Sequence, residues 1–330
     1  MKGGLSASIR LRLRSLLGAA LVVTVGLVAT AAVGTGRGAA PERAVKAPLA
    51  PKSLLLDVSV RDGRLVAVGE RGHILVSSDG GGSWTQAKVP TRALLTGVYM
   101  HDDRLAWAVG HDAVVLRTRD GGANWERVHH DPEAERPLLD VWFADAERGL
   151  ATSAYGELLV TRDGGDSWQK RAIREGDDFH LNQLAAAKDG TLYIAAEAGH
   201  LYRSDDGGET WLALASPYEG SFFGVLPLAE GPVLAFGLRG RLFVSQDRGR
   251  SWTRIETATE ATLLSALQIG PRRFVVAGME GTLVWGEIAG APVRTDVRPD
   301  RQAIVAFAHG ADGGLLLVGE GGMRRVEVPR

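Results

Sequence analysis

The sequence predicts an all-β protein, a seven-bladed β-propeller with Asp-box repeats, preceded by an N-terminal signal or anchor segment. Three observations support this prediction. Five segments align without gaps around an aspartate, at spacings of 41, 43, 43 and 41 residues. Seven groups of short apolar strands follow one another at a similar period, which is typical of propellers and solenoids. A basic stretch followed by an apolar run opens the chain.

The first 33 residues have the pattern of an export signal. An uncharged run of 18 residues extends from Leu16 to Val33, and small residues at 29–32 offer a cleavage site. Four basic side chains precede the run: Lys2, Arg10, Arg12 and Arg14. Residues 1–33 are therefore either a cleaved signal peptide or a retained membrane anchor. Both interpretations predict an exported protein, in the periplasm or at the extracytoplasmic face of the inner membrane. In a photosynthetic source, the thylakoid lumen is the equivalent location.

The remainder divides into a tether and a repeat region. Residues 34–52 are rich in Gly, Ala and Pro and show no periodicity, as expected of a tether. Residues 53–330 are assigned to the propeller, because each period reads as four short strands separated by turns. The strands of the third period are 138–144, 150–154, 158–162 and 168–172.

Counting the strand groups gives seven blades. Their first strands are expected to begin near Leu54, Leu94, Leu138, Leu181, Phe222, Leu263 and Ala303. The last unit has no fourth strand, and an open blade leaves an unpaired edge. We therefore predict that Ala44–Lys52 supplies this outer strand, at an edge position because Pro48 and Pro51 cannot donate ladder hydrogen bonds.

The repeated box is interpreted as a structural turn. Its glycines can adopt positive φ, its aspartate can accept hydrogen bonds from the turn, and its tryptophan can pack between neighbouring strands. The aspartates are Asp79, Asp120, Asp163, Asp206 and Asp247, and the tryptophans are Trp84, Trp125, Trp168, Trp211 and Trp252. Identical residues spread around a ring do not converge on a ligand, so no metal site is predicted at the boxes.

Composition excludes several classes of function. Lys and Arg total 38 and Asp and Glu total 39, a net charge of -1, which argues against a nucleic-acid partner. The absence of cysteine excludes disulfides, thiolate metal sites and a cysteine nucleophile. The only histidine cluster, His129-His130-Asp131, is interpreted as a polar loop, so neither a metal nor a cofactor is expected.

Two levels of resemblance are visible in the repeats. The boxes resemble the Asp-box, or bacterial neuraminidase repeat, of sialidases and related propellers. The longer stretches LVAVGERGHILVSSDGGGSW (65–84) and AWAVGHDAVVLRTRDGGANW (106–125) resemble the photosystem II assembly/stability factor family. That resemblance implies an exported seven-bladed propeller without catalytic residues, which holds an assembly intermediate of a membrane-protein complex. The chain departs from the cyanobacterial pattern because it has no cysteine for a lipid anchor.

A carbohydrate-binding or sialidase-like hydrolase is the alternative. Sialidase chemistry needs an arginine triad, a Tyr–Glu nucleophile pair and an acidic Asp. Arg61 and Arg64 lie on a polar turn, and no carboxylate pair is marked by the pattern. The expected function is therefore non-enzymatic binding of a protein partner that is associated with a membrane.

One face of the ring is the expected binding surface. Turns between second and third strands should share a face with the loops that join blades, and those loops are the longest in the chain. The aromatic and polar mixture in 216–223 suits a protein contact. The candidate contact residues are Arg71, His73, His111, Arg136, Tyr155, Tyr218, Phe222, Arg239 and Arg241. The propeller is expected to be monomeric.

Overall fold

A computed structural model describes residues 42–329 apart from Ala289 and Ala291. These residues form seven antiparallel sheets, which we number as blades 1 to 7 in chain order. Within this described part, no helix is long and apolar enough to span a membrane. The predicted signal or anchor segment, and the part of the tether before residue 42, lie outside the described residues.

Blades 1 to 6 have four strands each, and blade 7 has three. Blades 1 to 3 contain β1 (Leu55–Arg61), β2 (Arg64–Gly69), β3 (Ile74–Ser77), β4 (Thr85–Gln86), β5 (Leu95–Met100), β6 (Ala106–Gly110), β7 (Val115–Thr118), β8 (Glu126–His129), β9 (Leu138–Phe143), β10 (Gly149–Ser153), β11 (Glu157–Thr161) and β12 (Gln169–Ala172). Blades 4 and 5 contain β13 (Leu181–Ala186), β14 (Leu192–Ala196), β15 (Leu201–Ser204), β16 (Leu212–Ala213), β17 (Phe222–Pro227), β18 (Val233–Gly237), β19 (Leu242–Ser245) and β20 (Thr253–Ile255). Blades 6 and 7 contain β21 (Leu263–Gln268), β22 (Arg273–Gly278), β23 (Thr282–Glu287), β24 (Arg294–Val297), β25 (Ile304–His309), β26 (Leu315–Gly319) and β27 (Gly322–Val326).

Single-turn 3-10 helices punctuate the described loops. They are Ala50–Lys52, Glu70–Gly72, His111–Ala113, Pro132–Ala134, Leu238–Gly240 and Met279–Gly281. Most of them form the turn between a second and a third strand, so they are part of the blades and not separate layers.

The core lies between the blades. Each first strand packs against the first strands of both neighbouring blades, and the ring closes where β25 contacts β1. Seven apolar clusters fill the seven junctions, one for each pair of adjacent blades. Because a single four-stranded sheet cannot bury both of its faces, each blade depends on its two neighbours. The predicted seven-bladed propeller is confirmed.

The prediction for residues 44–52 is wrong. This segment forms no strand, and among the described residues blade 7 has only three strands. The amide of Ala44 donates to the Val89 oxygen (3.0 Å), and the Gln86 side chain bonds the backbone of Val45 and Ala47. The segment thus follows blade 1 and ends in the 3-10 turn Ala50–Lys52, which contains Pro51. Prolines remove the donors that a ladder would need, which favours this irregular path.

All five boxes have one hydrogen-bonding pattern. The Ser or Thr two residues before each aspartate donates to Oδ1 at 2.7–2.8 Å. The fourth residue after the aspartate donates its amide to Oδ1 at 2.8–3.0 Å, and its side chain donates to Oδ2 at 2.6–2.7 Å. These bonds lower the pKa of Asp163, Asp206 and Asp247 to about 2. Each carboxylate is therefore engaged by its own turn.

Each box also receives an arginine from the preceding blade, which the sequence did not reveal. The guanidinium donates to a backbone oxygen just after the box aspartate. The donor and acceptor pairs, taken around the ring, are Arg325 and Gly80, Arg64 and Gly121, Arg117 and Gly164, Arg171 and Gly208, and Arg203 and Arg248, at 2.9–3.4 Å. The boxes therefore join neighbouring blades as well as turning the chain, and the first pair spans the closure of the ring.

Two carboxyls lie among the innermost strands. Asp57 in β1 accepts from the Val98 amide of blade 2 at 2.8 Å, and Asp140 in β9 accepts from the Leu184 amide of blade 4 at 2.9 Å. Both side chains are half-buried in the space enclosed by the first strands. Burial raises the pKa of Asp57 to about 6. Burial, together with the charge of Asp57, raises the pKa of Asp140 to about 7.

The raised pKa values of Asp57 and Asp140 predict that the folded protein is less stable at neutral pH than at mildly acid pH. Their native pKa values lie above the unfolded value of about 3.9, so the native state binds more protons than the unfolded state between about pH 4 and pH 7. The stability they contribute is full below about pH 4 and is lost as the pH rises from there through the folded pKa values of about 6 and 7. We expect a higher thermal unfolding midpoint at about pH 5 than at about pH 8. The measurement is calorimetric unfolding across this range.

The control for this prediction compares how steeply the thermal unfolding midpoint changes with pH in the parent chain and in two variants. Asp140→Asn removes the titration, so the midpoint should fall less between acid and neutral pH than in the parent chain. Asp178→Asn replaces an exposed carboxylate and should leave the slope unchanged. Equal slopes in the parent chain and in Asp140→Asn would contradict the assignment.

Candidate interaction site on the loop face

The turns between second and third strands share one face with the inter-blade loops, as predicted. Backbone hydrogen bonds join the two sets directly. The Gly156 amide donates to the Phe179 oxygen at 2.8 Å, the Asp131 amide to the Asp112 oxygen at 3.0 Å, and the Arg298 amide to the Gly281 oxygen at 2.9 Å. We call this surface the loop face: the inter-blade loops together with these turns. The joined backbones make it a rigid platform for side chains.

One position at the tip of each turn has left-handed backbone in six blades. The residues are Arg71, Asp112, Tyr155, Ala198, Arg239 and Glu280, with φ between 50° and 63°. Residues other than glycine are uncommon in the left-handed region of backbone conformation. Here the tight turn imposes this conformation on each of the six residues. The same backbone therefore presents a different chemical group in each blade. Tyr155, half exposed at 50%, is the one aromatic group among the six.

The structure separates the predicted contact residues by exposure. Arg71, Tyr155 and Arg239 are exposed at the turn tips. Four others are half-buried beside them: His111, Arg136, Tyr218 and Arg241. Burial lowers the pKa of His111.

Two of the predicted contact residues are wrong, because they are buried. His73 is 4% exposed, and its Nδ1 lies 3.1 Å from the Ser53 hydroxyl. Burial lowers its pKa. Phe222 is fully buried and packs against Tyr218 and Phe243, with ring centroids 6.0 Å away in both cases. His73 lies between a 3-10 turn and β3, and Phe222 begins β17, so both residues lie where the chain enters a blade.

Tyr155 is the centre of a mixed aromatic and charged cluster. The Arg136 guanidinium lies 5.9 Å from the centroid of its ring, and the His180 ring packs edge-on at 5.1 Å. Arg136 also pairs with the half-buried Glu157 at 2.9 Å. His180 in turn contacts Glu197, with Nδ1 and Oε1 3.2 Å apart. Arg136 lies in the loop before blade 3, and His180 lies in the loop between blades 3 and 4. Because Glu197 belongs to blade 4, the cluster spans a blade junction.

Hydrogen bonding sets the charge of the cluster. Burial raises the pKa of Glu197, but hydrogen bonds from the His180 side chain and backbone outweigh it, and the pKa lies below its usual value. Glu197 is therefore anionic at neutral pH.

The cluster continues towards blade 5. Phe179 stacks on His200 at 3.9 Å, and the Arg241 guanidinium lies 5.8 Å from the ring of Tyr218. Cations over aromatic rings gain a modest electrostatic attraction and hold both groups in one orientation. We define the cluster as Arg136, Tyr155, Glu157, Phe179, His180, Glu197, His200, Tyr218 and Arg241.

Sequence reasoning did not single out Phe179, His180, Glu197 or His200. A signal was available, because the loop that leaves a blade returns beside that blade's own turn between the second and third strands. The end of the 173–180 loop is therefore placed beside Tyr155 by the repeat itself. The cluster offers aromatic rings and guanidinium groups on a fixed backbone, which is the composition of protein-binding hot spots. In the part of the chain that the structure describes, no three His, Cys, Asp or Glu side chains are grouped to hold a metal ion.

Comparison with known proteins places the fold in a functional context. The family described as "Photosynthesis system II assembly factor YCF48" matches residues 40–134 and 131–220. The photosystem II assembly protein Ycf48 of Synechococcus sp. (strain JA-2-3B'a(2-13)) is 30% identical over 171 residues, 47% of each chain. The photosystem II stability/assembly factor HCF136 of Arabidopsis thaliana is 25% identical over 185 residues, 53% of this chain and 45% of that protein. The chain thus matches about half the length of these curated relatives.

Solved structures show the same fold. A structure described as YCF48 bound to a D1 peptide superimposes with a TM-score of 0.71 at 17% identity, covering 90% of this chain and all of that one. YCF48 from Cyanidioschyzon merolae gives 0.67 at 17% identity, covering 86% and 98%.

Proposed function

The chain belongs to the family of the photosystem II assembly factor YCF48, and we propose that it is a non-enzymatic propeller that binds a protein partner during assembly of a membrane-protein complex. The names of its relatives support this role, since they are assembly factors of photosystem II. The observation that carries the proposal is the Tyr155 cluster, in which the half-exposed Tyr155 ring lies beside the Arg136 guanidinium and the His180 ring on the loop face.

The proposed ligand is an extended segment of a reaction-centre subunit. One structural relative is described as bound to a D1 peptide, which supports a peptide as the form of ligand. The loop face is rigid and carries a half-exposed tyrosine with arginines nearby. Such a surface can cover apolar side chains of a ligand and can form hydrogen bonds with its polar groups. Binding needs no bond breaking, and the box carboxylates are held by their own turns.

We further propose that the protein is exported and monomeric and acts at the extracytoplasmic side of a membrane. The N-terminal basic and apolar pattern supports this location. It corresponds to the periplasm, or to the thylakoid lumen in a photosynthetic source. N-terminal sequencing of the purified protein distinguishes a cleaved signal peptide from a retained anchor.

Tyr155→Ala is expected to weaken binding of the partner peptide about tenfold or more, because truncating an aromatic hot spot removes over ~1.4 kcal/mol of binding free energy. The measurement is titration calorimetry against overlapping peptides from the source organism's D1 sequence. The unfolding midpoint should stay close to that of the parent chain, since half of the ring is already exposed.

Leu212→Ala is the matched control. Leu212 is 56% exposed on β16, at the perimeter of blade 4 and away from the turn tips. This variant should bind as the parent chain does. Equal weakening in both variants, or binding of sialosides in place of peptides, would overturn the proposal.

A further inference from the structure

In the part of the chain that the structure describes, β27 is an unpaired edge strand of blade 7. In the other six blades the third strand is covered by a fourth, and its residues are mostly buried; β7 and β15 are buried throughout. In β27 only Gly322 is buried, and the next four residues keep partial or full exposure. Because β27 pairs with β26 alone among the described strands, alternate backbone N–H and C=O groups along it face outward.

The described N-terminal segment does not cover this edge. It contacts the first part of β27, where Gly322 packs on the backbone of Pro51 and Lys52 and Met323 packs against the apolar cluster that contains Ala50. The part of the segment before this turn lies against blade 1. Its first described residues contact the loop between blades 1 and 2, where Arg92 pairs with Glu42 and donates to the Arg43 oxygen. Among the described strands, none pairs with the outer edge of β27 from Met323 to Val326.

Comparison of blade 7 with the equivalent positions of blade 2 indicates which side chain an added strand would carry. Arg325 is the equivalent of Arg117, because each lies opposite the residue three positions before the glycine that ends the second strand. Both donate to the box of the following blade, Arg325 to the Gly80 oxygen and Arg117 to the Gly164 oxygen.

The two arginines differ in what faces them. In blade 2, Nε of Arg117 donates to Glu126, which lies directly opposite on the fourth strand, at 2.8 Å. In blade 7, Arg325 bonds Asp312 and Gly80 through its two terminal nitrogens, and within the described residues its Nε has no acceptor. A carboxylate on an added strand would complete the arrangement that blade 2 shows.

We propose that β27 binds a short extended segment of a partner protein as the fourth strand of blade 7, with a Glu or Asp opposite Arg325. Strand addition supplies main-chain hydrogen bonds, and the carboxylate fixes the register. The fourth strands of the other blades are two to four residues long and largely polar, so a short polar segment is sufficient. This site is separate from the loop face, and it can be tested without reference to the proposed function.

The probe is a peptide that copies residues 122–129, the fourth strand of blade 2 with Glu126, and its matched form with Gln at that position. Amide hydrogen exchange of the full chain should slow about tenfold in β27 at saturating peptide, at alternate amides. The Gln peptide should bind about fivefold more weakly, as expected for a partly exposed ion pair. In Arg325→Met the two peptides should bind equally, whereas in Arg324→Met the difference should remain.

Several results would overturn the proposal. In the absence of peptide, the amides of β27 could already exchange as slowly as those of β23, the third strand of the four-stranded blade 6. The edge would then be occupied by another part of this chain or by a second copy, which contradicts the proposal. Another is peptide binding that leaves β27 unprotected. The comparison of the two peptides on the unaltered chain does not depend on how well the arginine variants fold. Loss of binding in Tyr155→Ala would bear only on the loop face.

Discussion

Replacing Trp107 by alanine is expected to lower the free energy of unfolding by about 3–5 kcal/mol, the range for large buried aromatic residues. Trp107 is fully buried in β6, at the junction of blades 2 and 3. Its ring stacks on Phe143 of the next blade, with centroids 3.5 Å apart and an angle of 7° between the planes. Its Nε1 donates to the Gly164 oxygen at 2.9 Å. The substitution therefore leaves a cavity and removes a contact that crosses between blades.

Denaturant titration of the folded chain measures this loss. Trp168→Ala is the matched control, because Trp168 belongs to the same apolar cluster and meets Phe143 edge-on at 6.0 Å, but keeps part of its surface exposed. Its loss should be smaller than that of Trp107→Ala. Similar losses in the two variants would show that the junction does not depend on the Trp107 stack.

The blade boundaries could be predicted because short-range features determine them. Box turns and tight second turns recur at fixed positions in each period, so the strands between them have little freedom. The predicted starts at Leu138, Leu181, Phe222 and Leu263 coincide with the observed strands, and the others differ by one residue. Closure of the ring was also expected, because seven four-stranded units of this kind cover their faces by packing around a common axis.

Contacts between blades could not be read in the same way. The arginine that reaches a box comes from β2, β7, β12, β15 or β27, so no single sequence position in the period identifies it. The orientation of His73 and Phe222 also depends on which blade covers them. The candidate site was found in part: Arg136 and Tyr155 were predicted, but the rings that surround Tyr155 come from a loop without a distinctive motif.

The N-terminal segment shows a different limit. Its proposed strand depended on the need to cover an edge, which is a property of the whole ring. The local sequence, with prolines at 48 and 51, opposed that assignment, and the hydrogen bonds of Gln86 with the backbone of Val45 and Ala47 offered an alternative path. Where global closure and local conformation disagreed, local conformation determined the outcome.

Arg117→Met is expected to lower the free energy of unfolding by about 2–3 kcal/mol, below the 3–5 kcal/mol typical of a broken buried pair. The Arg117 side chain is only 6% exposed and bonds three groups: Glu126 and Asp166 at 2.8 Å, and the Gly164 oxygen at 2.9 Å. Its two carboxylate partners are more than half exposed, so water can replace the lost donor there, which reduces the loss. Methionine retains most of the aliphatic packing.

Arg119→Met provides the matched control on the same edge of blade 2. Arg119 is 63% exposed and lies 3.9 Å from the same Glu126, so its replacement should change stability by less than about 0.5 kcal/mol. If both variants lost the same stability, the effect would be one of net charge and not of the link between blades. Added salt should then reduce both losses equally, whereas the buried bonds of Arg117 are screened far less.

The double variant tests whether the link acts as one unit. Trp107 and Arg117 donate to the same carbonyl, that of Gly164, so in either single variant the remaining donor still satisfies the oxygen. In the double variant no described side chain donates to it, and an unsatisfied buried carbonyl costs about 1–3 kcal/mol. We therefore expect the double variant to lose more stability than the sum of the single losses, with a coupling energy of about 0.5–2 kcal/mol. Additive losses would mean that water reaches this carbonyl when both donors are removed, and that Trp107 and Arg117 stabilise the junction independently.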